Sequence, residues 1–310
     1  MAKRKQRSAY HPFYWPIWVL YPLLRLISLL PSQWLFAMGE KLGVLLAKIA
    51  KRSAHITEVN LKLCFPELTT TEHQALLNKH YAAMGRGIFE TLLAWFGPRK
   101  TLKKLVKIKN GNLVTEALTK GKGLICIAAH FSCSELVGAA YAQQQSLGAV
   151  YQTVKNPALD KIVKKGRKNY ISHLIASHHI RAILNALANN QILWFAPDQN
   201  TQKKRRVLTP FFGHTAVSST MLTRLVELSG AAVLFLSCAR QADGHYVGTL
   251  IPAPPAYPSP EHDVEQDAHT YNQFLEKEIR TYPEQYLWAY KFFSKGQNDA
   301  PSPYKSNKAF

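Results

Sequence analysis

Leu124-Ile125-Cys126-Ile127-Ala128-Ala129 runs without a break into His130-Phe131-Ser132-Cys133-Ser134-Glu135. The first six residues are uniformly apolar, as expected of a strand covered on both faces. A histidine and a carboxylate then follow where that strand gives way to a helix. Along a continuous helix, five residues correspond to ~140° of rotation, which would point the two side chains apart. They can converge only if His130 precedes the helix and Glu135 lies in its first turn. Ser132-x-x-Glu135 is also a capping-box pattern, so the same residues fit a second reading. In that reading Glu135 serves backbone N–H groups and His130 is a packed loop residue. Local sequence leaves both open.

The 310 residues leave room for one large domain with an appendage, and 47% hydrophobic content supports a substantial core. The charge is unusual: 39 Lys and Arg face 19 Asp and Glu, a net of +20. Such an excess points to a polyanionic neighbour. Cys64, Cys126, Cys133 and Cys238 have no CxxC or zinc-type spacing, so buried thiols in a reducing compartment are expected.

The N-terminus favours a membrane as that neighbour. A basic head, Lys3-Arg-Lys-Gln-Arg7, precedes an aromatic-rich apolar stretch from His11 to Leu30. Phe13-Tyr14-Trp15, Trp18 and Tyr21 are residue types that favour the lipid–water interface. Pro16, Pro22 and Arg25 argue against a clean span. The expectation is an apolar helical membrane anchor within residues 1–32, lying in or dipping into the cytoplasmic leaflet, with a true span or a buried core helix as the alternatives. Arg99 to Lys109 interleaves basic residues with Leu102, Leu105, Val106 and Ile108 and fits a second contact with an anionic surface.

Helical patterns dominate up to Phe96: Trp34–Ala50, Ala54–Leu63, and a long helix from Thr71 closed by Gly97-Pro98. From Asn112 helices and strands alternate, with apolar strands at 124–129, 149–151, 192–196, 207–212, 231–237 and 246–251. This predicts an α/β fold, a central mixed sheet flanked by helices. Residues 294–310 are polar, with Pro301 and Pro303, and are expected to be a disordered tail.

Several strands end in polar residues: His130, then Lys155-Asn156, then Asp198-Gln199-Asn200. Ligands in open α/β sheets bind beyond such carboxyl ends, so these termini are candidates to line one cleft. Arg167 and the lysines of 161–168 would add phosphate-binding charge, or form a solvated helix face. His178-His179, His262 and His269 lack a metal-ligating pattern, and Gly121-Lys-Gly123 lacks a nucleotide fingerprint. No Gly-x-Ser-x-Gly elbow is present. No metal or cofactor is expected, and no nucleic-acid-binding motif accompanies the charge.

His130-x4-Glu135 behind a buried strand resembles the HX4(D/E) signature of glycerolipid-type acyltransferases. Further segments narrow the resemblance: Asn60-Leu-Lys-Leu-Cys-Phe-Pro-Glu67, Asn156-Pro157-Ala-Leu-Asp160, Ala196-Pro-Asp-Gln199, Thr209-Pro-Phe-Phe-Gly213 and Pro283-Glu-Gln-Tyr-Leu-Trp288. In this order, from about residue 12 to 293, they resemble the lipid A late acyltransferases, the lauroyl and myristoyl transferases of lipopolysaccharide assembly. Asn200-Thr201 departs from the Asp-Gly that often follows Asp-Gln in that family, and the Phe-Pro-Glu-Gly-Thr motif of glycerol-phosphate acyltransferases is absent.

The resemblance implies an acyltransferase domain over residues 33–293 with a glycerolipid-acyltransferase-like fold. It also implies transfer of a fatty acyl chain from acyl carrier protein to a hydroxyl on the acyl chains of a phosphorylated lipid A precursor. The expected place is the cytoplasmic face of the inner membrane. An aliphatic hydroxyl is a poor nucleophile at neutral pH, so His130 is the expected general base, an effect worth ~10²–10⁴-fold. Glu135 is expected to orient the ring, with N–H groups at the start of the following helix facing the oxyanion. Arg167 and Asp198 are the expected substrate-binding residues. A glycerophospholipid acyltransferase or a thioesterase would use the same pair on a different acceptor.

Overall fold

The computed structural model describes residues 7–199, 206–255, 257–293 and 302–304. Helices come first: α1 (Trp15–Ile27), α2 (Ser32–Ile49), α3 (Lys51–Cys64), α4 (Thr70–Phe96) and α5 (Arg99–Leu105). Alternation follows with β1 (Val106–Lys109), α6 (Asn112–Leu118), β2 (Leu124–Ile127), α7 (Ser134–Tyr141), β3 (Leu147–Tyr151), α8 (Pro157–Arg167), β4 (Leu174–Ala176), α9 (Ile180–Ala188) and β5 (Ile192–Phe195). The chain closes with β6 (Arg206–Phe211), β7 (His214–Ser219), α10 (Met221–Ser229), β8 (Ala232–Arg240), β9 (Tyr246–Pro252) and α11 (Val264–Thr281).

The expected mixed sheet is present, in the order β1-β9-β8-β2-β5-β3-β4. Only β8 and β9 run antiparallel within it. β2 lies between β8 and β5, parallel to both, and every one of its residues is buried. That central position is why its sequence is apolar without alternation. β6 and β7 form a separate antiparallel hairpin.

Three strands depart from the sequence expectation. The end of the basic run, Val106–Lys109, is edge strand β1, where Val106 and Ile108 turn inward and Lys107 and Lys109 outward. Leu174–Ala176 pairs with β3 as β4 and His214–Ser219 pairs with β6 as β7, although the first is short and the second half polar.

The expected N-terminal membrane anchor is overturned. Among the described residues no helix is long and apolar enough to cross a membrane. α1 has only 13 residues, with Pro22 inside it, and the chain turns at Ser28 before Pro31. One side of α1 is tied to the domain: Tyr21 is buried edge-on against Phe96 of α4, and the Lys165 ammonium of α8 sits 5.0 Å from the Tyr21 ring. A short helix packed in this way is an outer layer of the fold.

α4 begins one residue before the expected Thr71, behind a capping box formed by Thr69 and Glu72. α2 packs along α4 at very close range. A Cβ at Gly43 would lie 2.0 Å from the Tyr81 carbonyl oxygen, and one at Gly85 would lie 2.1 Å from that of Gly39. Only glycine permits that approach, which seats α4 against α7 and the site. The basic loop 203–205 and most of 294–310 lie outside the described residues. Within the segment expected to be disordered, Tyr304 is buried, and its hydroxyl donates to Asn60 Oδ1 at 2.6 Å.

Candidate active site

β2 and β5 are parallel neighbours in which Ile127 pairs with Phe195. Each chain leaves the sheet in the same direction, and each delivers its polar residue three positions later, at His130 and Asp198. His130 Nδ1 lies 2.6 Å from Asp198 Oδ1, while the His130 backbone N–H donates to Asp198 Oδ2 at 3.0 Å. The Tyr286 hydroxyl donates to the same Oδ2 at 3.2 Å. The carboxylate is fully buried; the imidazole is 42% exposed into an adjoining cavity.

Burial disfavours the imidazolium, but the charge and hydrogen bond of Asp198 outweigh it. The His130 pKa is therefore raised above its ordinary value, with Arg167 opposing and Glu135 assisting. The expected ring partner, Glu135, is engaged elsewhere. Arg167 grips it with two bonds, Nε to Oε1 and Nη2 to Oε2, both 2.8 Å. Trp95 Nε1 donates to Oε1 at 2.7 Å, and the Tyr170 hydroxyl donates to the same oxygen. Burial would push the Glu135 carboxyl up; the Arg167 charge and these donors overcome it and hold the pKa below the usual carboxylate value.

The capping reading of Glu135 also fails. Ser132 Oγ is buried without a partner among the described residues, and α7 has no side-chain cap. The Ser132 N–H donates instead to Gln285 O at 2.8 Å and the Ser134 N–H to Phe131 O at 3.1 Å. These two N–H groups are committed within the protein, which removes them as the oxyanion donors expected at this turn. Arg167, expected to hold phosphate, spends its paired edge on Glu135.

The cavity beside His130 has a volume of about 560 Å³. His130, Glu135 and Arg167 lie on its wall with Met84, Ile88, Val154, Trp194, Phe195 and Leu287. Thr91, Ser132, Gln152, Gln199 and Ser219 share that wall, so the cavity is of mixed polarity, with room for a hydrocarbon chain along its apolar side and for a polar reacting end. Gln199 Nε2 and Trp194 Nε1, both from lining residues, are buried donors without partners among the described residues.

All four sequence-selected residues thus gather at one site, in different pairs from those expected. Asn156 is the cap of α8, accepting from Ala158 and Leu159 N–H. Lys161 and Lys165 lie over the rings of Tyr10 and Tyr21, and Lys164 pairs with Asp160 at 2.7 Å. Trp95, Tyr170 and Tyr286 join the site from outside the sequence expectation. Only Tyr286 had a signal, in Pro283–Trp288: that segment straps the histidine turn, with Leu287 N–H donating to His130 O at 2.9 Å. Asn60 anchors the strap by donating to Trp288 O and Tyr290 O.

Comparison with known proteins agrees in extent. Residues 2–295 match the family model described as bacterial lipid A biosynthesis acyltransferase. The chain is 31% identical over 289 residues to the lipid A biosynthesis palmitoleoyltransferase of Escherichia coli (strain K12), covering 93% of this chain and 94% of the relative. It is 29% identical over 295 residues to the lauroyltransferase of that organism, with 95% and 96% covered. The myristoyltransferase is 24% identical over 306 residues, with 96% and 93% covered. A match of this span places the site inside a shared domain: the chain belongs to the bacterial lipid A biosynthesis acyltransferases.

Proposed function

We propose that this protein transfers a fatty acyl chain from the thioester of acyl carrier protein to a hydroxyl on the acyl chains of a phosphorylated lipid A precursor. The observation that carries the mechanism is the double grip of Asp198 on His130 in the wall of the cavity. With Nδ1–H donating to Asp198, the neutral ring has Nε2 free to accept the proton of the attacking hydroxyl. The alkoxide adds to the thioester carbonyl, the tetrahedral intermediate expels the thiolate, and His130 returns its proton to that sulfur. Asp198 stabilises the imidazolium between these two transfers, the work first expected of Glu135. The Glu135–Arg167 pair shapes the cavity wall and sets the field at the ring.

The acceptor is a lipid, so the reaction is assigned to the cytoplasmic face of the inner membrane. The support is the charge of +20 and the exposed apolar side chains on α2, including Trp34, Met38, Leu45 and Ile49. The same charge suits an acidic carrier protein.

Mass spectrometry of lipid A from cells lacking this protein tests the proposal. Loss of a mass equal to one fatty acyl group, restored by the wild-type protein, is the expected result. Unchanged lipid A in cells that ordinarily make this protein would sink it.

A further inference from the structure

A second cavity, of about 580 Å³, adjoins the first at Trp95. Trp95 belongs to the walls of both, and Tyr170 lines the second. Their side chains both donate to Glu135 Oε1, so the two spaces are separated by the residues that hold Glu135. Three cations line the second cavity: Arg25 from the last turn of α1, Arg99 from the start of α5 and Lys168 just beyond α8. No acidic residue lines it, and none of these cations takes part in an ion pair among the described residues.

Cations gathered at one concavity repel one another unless something offsets them. The helix ends nearby offset little. The Trp95 carbonyl near the end of α4 is already served by Asn169 Nδ2 at 2.6 Å, and Arg99 reaches the Asn169 carbonyl only at 3.3 Å. The neighbouring lysines 161, 164 and 165 are occupied by rings or by Asp160, which leaves Lys168 as the lysine of that run turned to this cavity. Two guanidinium groups and an ammonium, open to solvent and without counter-charge among the described residues, make a phosphate receptor.

We propose that this second cavity is a phosphate subsite, in which Arg25, Arg99 and Lys168 take a phosphate monoester carried by the acceptor. The proposal rests on the acceptor reading above. A phosphate held there positions the glycolipid from behind the Trp95–Tyr170 wall, while its acyl hydroxyl enters the cavity beside His130.

The test compares phosphorylated and enzymatically dephosphorylated acceptor, with wild type and the Arg25→Ala, Arg99→Ala, Lys168→Ala triple variant. For wild type, removing the phosphate should raise KM about tenfold, the size of one net charge-assisted contact. The triple variant should show that raised KM with the phosphorylated acceptor and no further loss when the phosphate is removed. Inorganic phosphate should compete with acceptor in wild type and not in the variant. Lys168→Glu alone, a change at an exposed position, should reproduce the direction if the triple variant folds poorly. Independent, additive effects of the two removals would overturn the subsite, as would an unchanged KM in a folded variant. Phosphate binding that leaves acceptor KM untouched would also overturn the assignment, by making this a pocket for the free anion. If wild type acylates neither acceptor, it is the acceptor reading that fails. The cavity is then judged by whether inorganic phosphate raises the melting temperature of wild type but not of the variant.

Discussion

Asp198 holds His130 at two points, with one carboxylate oxygen 2.6 Å from ring Nδ1 and the other accepting the backbone N–H at 3.0 Å. Ring and backbone of the histidine are therefore fixed by one buried group, and the tautomer is fixed with them. In Asp198→Asn the amide can no longer stabilise an imidazolium, and kcat should fall about 10²-fold or more. Asp198 raises the His130 pKa, and a general base works in its neutral form, so wild-type activity rises with pH through that raised pKa. Removing the charge should move this acidic limb to lower pH while the plateau drops. Rate profiles of the two proteins over pH 5–9 check both effects. An unmoved limb would mean that Asp198 does not set the base.

Glu135 and Arg167 are both largely buried and joined by two bonds. Removing either alone leaves a charge without its partner, and Glu135→Gln or Arg167→Gln should each cost about 3 kcal/mol. The double substitution should cost clearly less than the sum, because no orphaned charge remains. Denaturant unfolding of the four proteins measures the coupling. Additive losses would remove the pair as a unit of the wall.

His80 is buried in α4, its Nδ1 3.1 Å from the Glu284 carbonyl, and burial lowers its pKa to about 4. In the unfolded chain the ring titrates at its ordinary value, so between about pH 6.5 and 4 the unfolded state binds more protons. This residue's contribution is complete above that window and is lost as pH falls through it, by at most about 3 kcal/mol. His130 has the opposite sign: its pKa is raised, so protonation favours the folded state. Unfolding free energy measured from pH 7.5 to 4 should decline in wild type and decline less in His80→Gln. Equal slopes would contradict the assignment.

Gly85→Ala forces a Cβ toward the Gly39 carbonyl and Gly43. Overpacking of this kind costs about 1–3 kcal/mol, and here the opposing atoms are backbone. Melting temperature should fall, and KM for the acyl donor should rise as α4 shifts against α7. A variant as stable as wild type would show that α2 and α4 can separate without cost.

The sheet and its polar strand ends were legible because buried strands write themselves as apolar runs and polarity returns just beyond them, as at His130 and Asp198. The partner of His130 was not legible, since Asp198 reaches it through strand adjacency across 68 residues. A Glu five residues away was the nearer carboxylate in sequence, but a turn and a helix carry it toward Arg167. β1 was hidden by its lysines, although its alternation has the period of a strand. The anchor expected at the N-terminus failed because apolar composition gives neither the length of a helix nor its packing: α1 stops at 13 residues and buries Tyr21 against Phe96.

The central claim is acyl transfer by His130 and is tested most directly with purified components. Wild type and His130→Ala are incubated with acyl carrier protein charged with a labelled fatty acid and with lipid A precursor, and products are read by mass spectrometry. Wild type should add one acyl group to the precursor, and the folded variant should be slower by about 10²–10⁴-fold. Near wild-type transfer by His130→Ala, or release of free fatty acid in place of acylated precursor by wild type, would contradict the account.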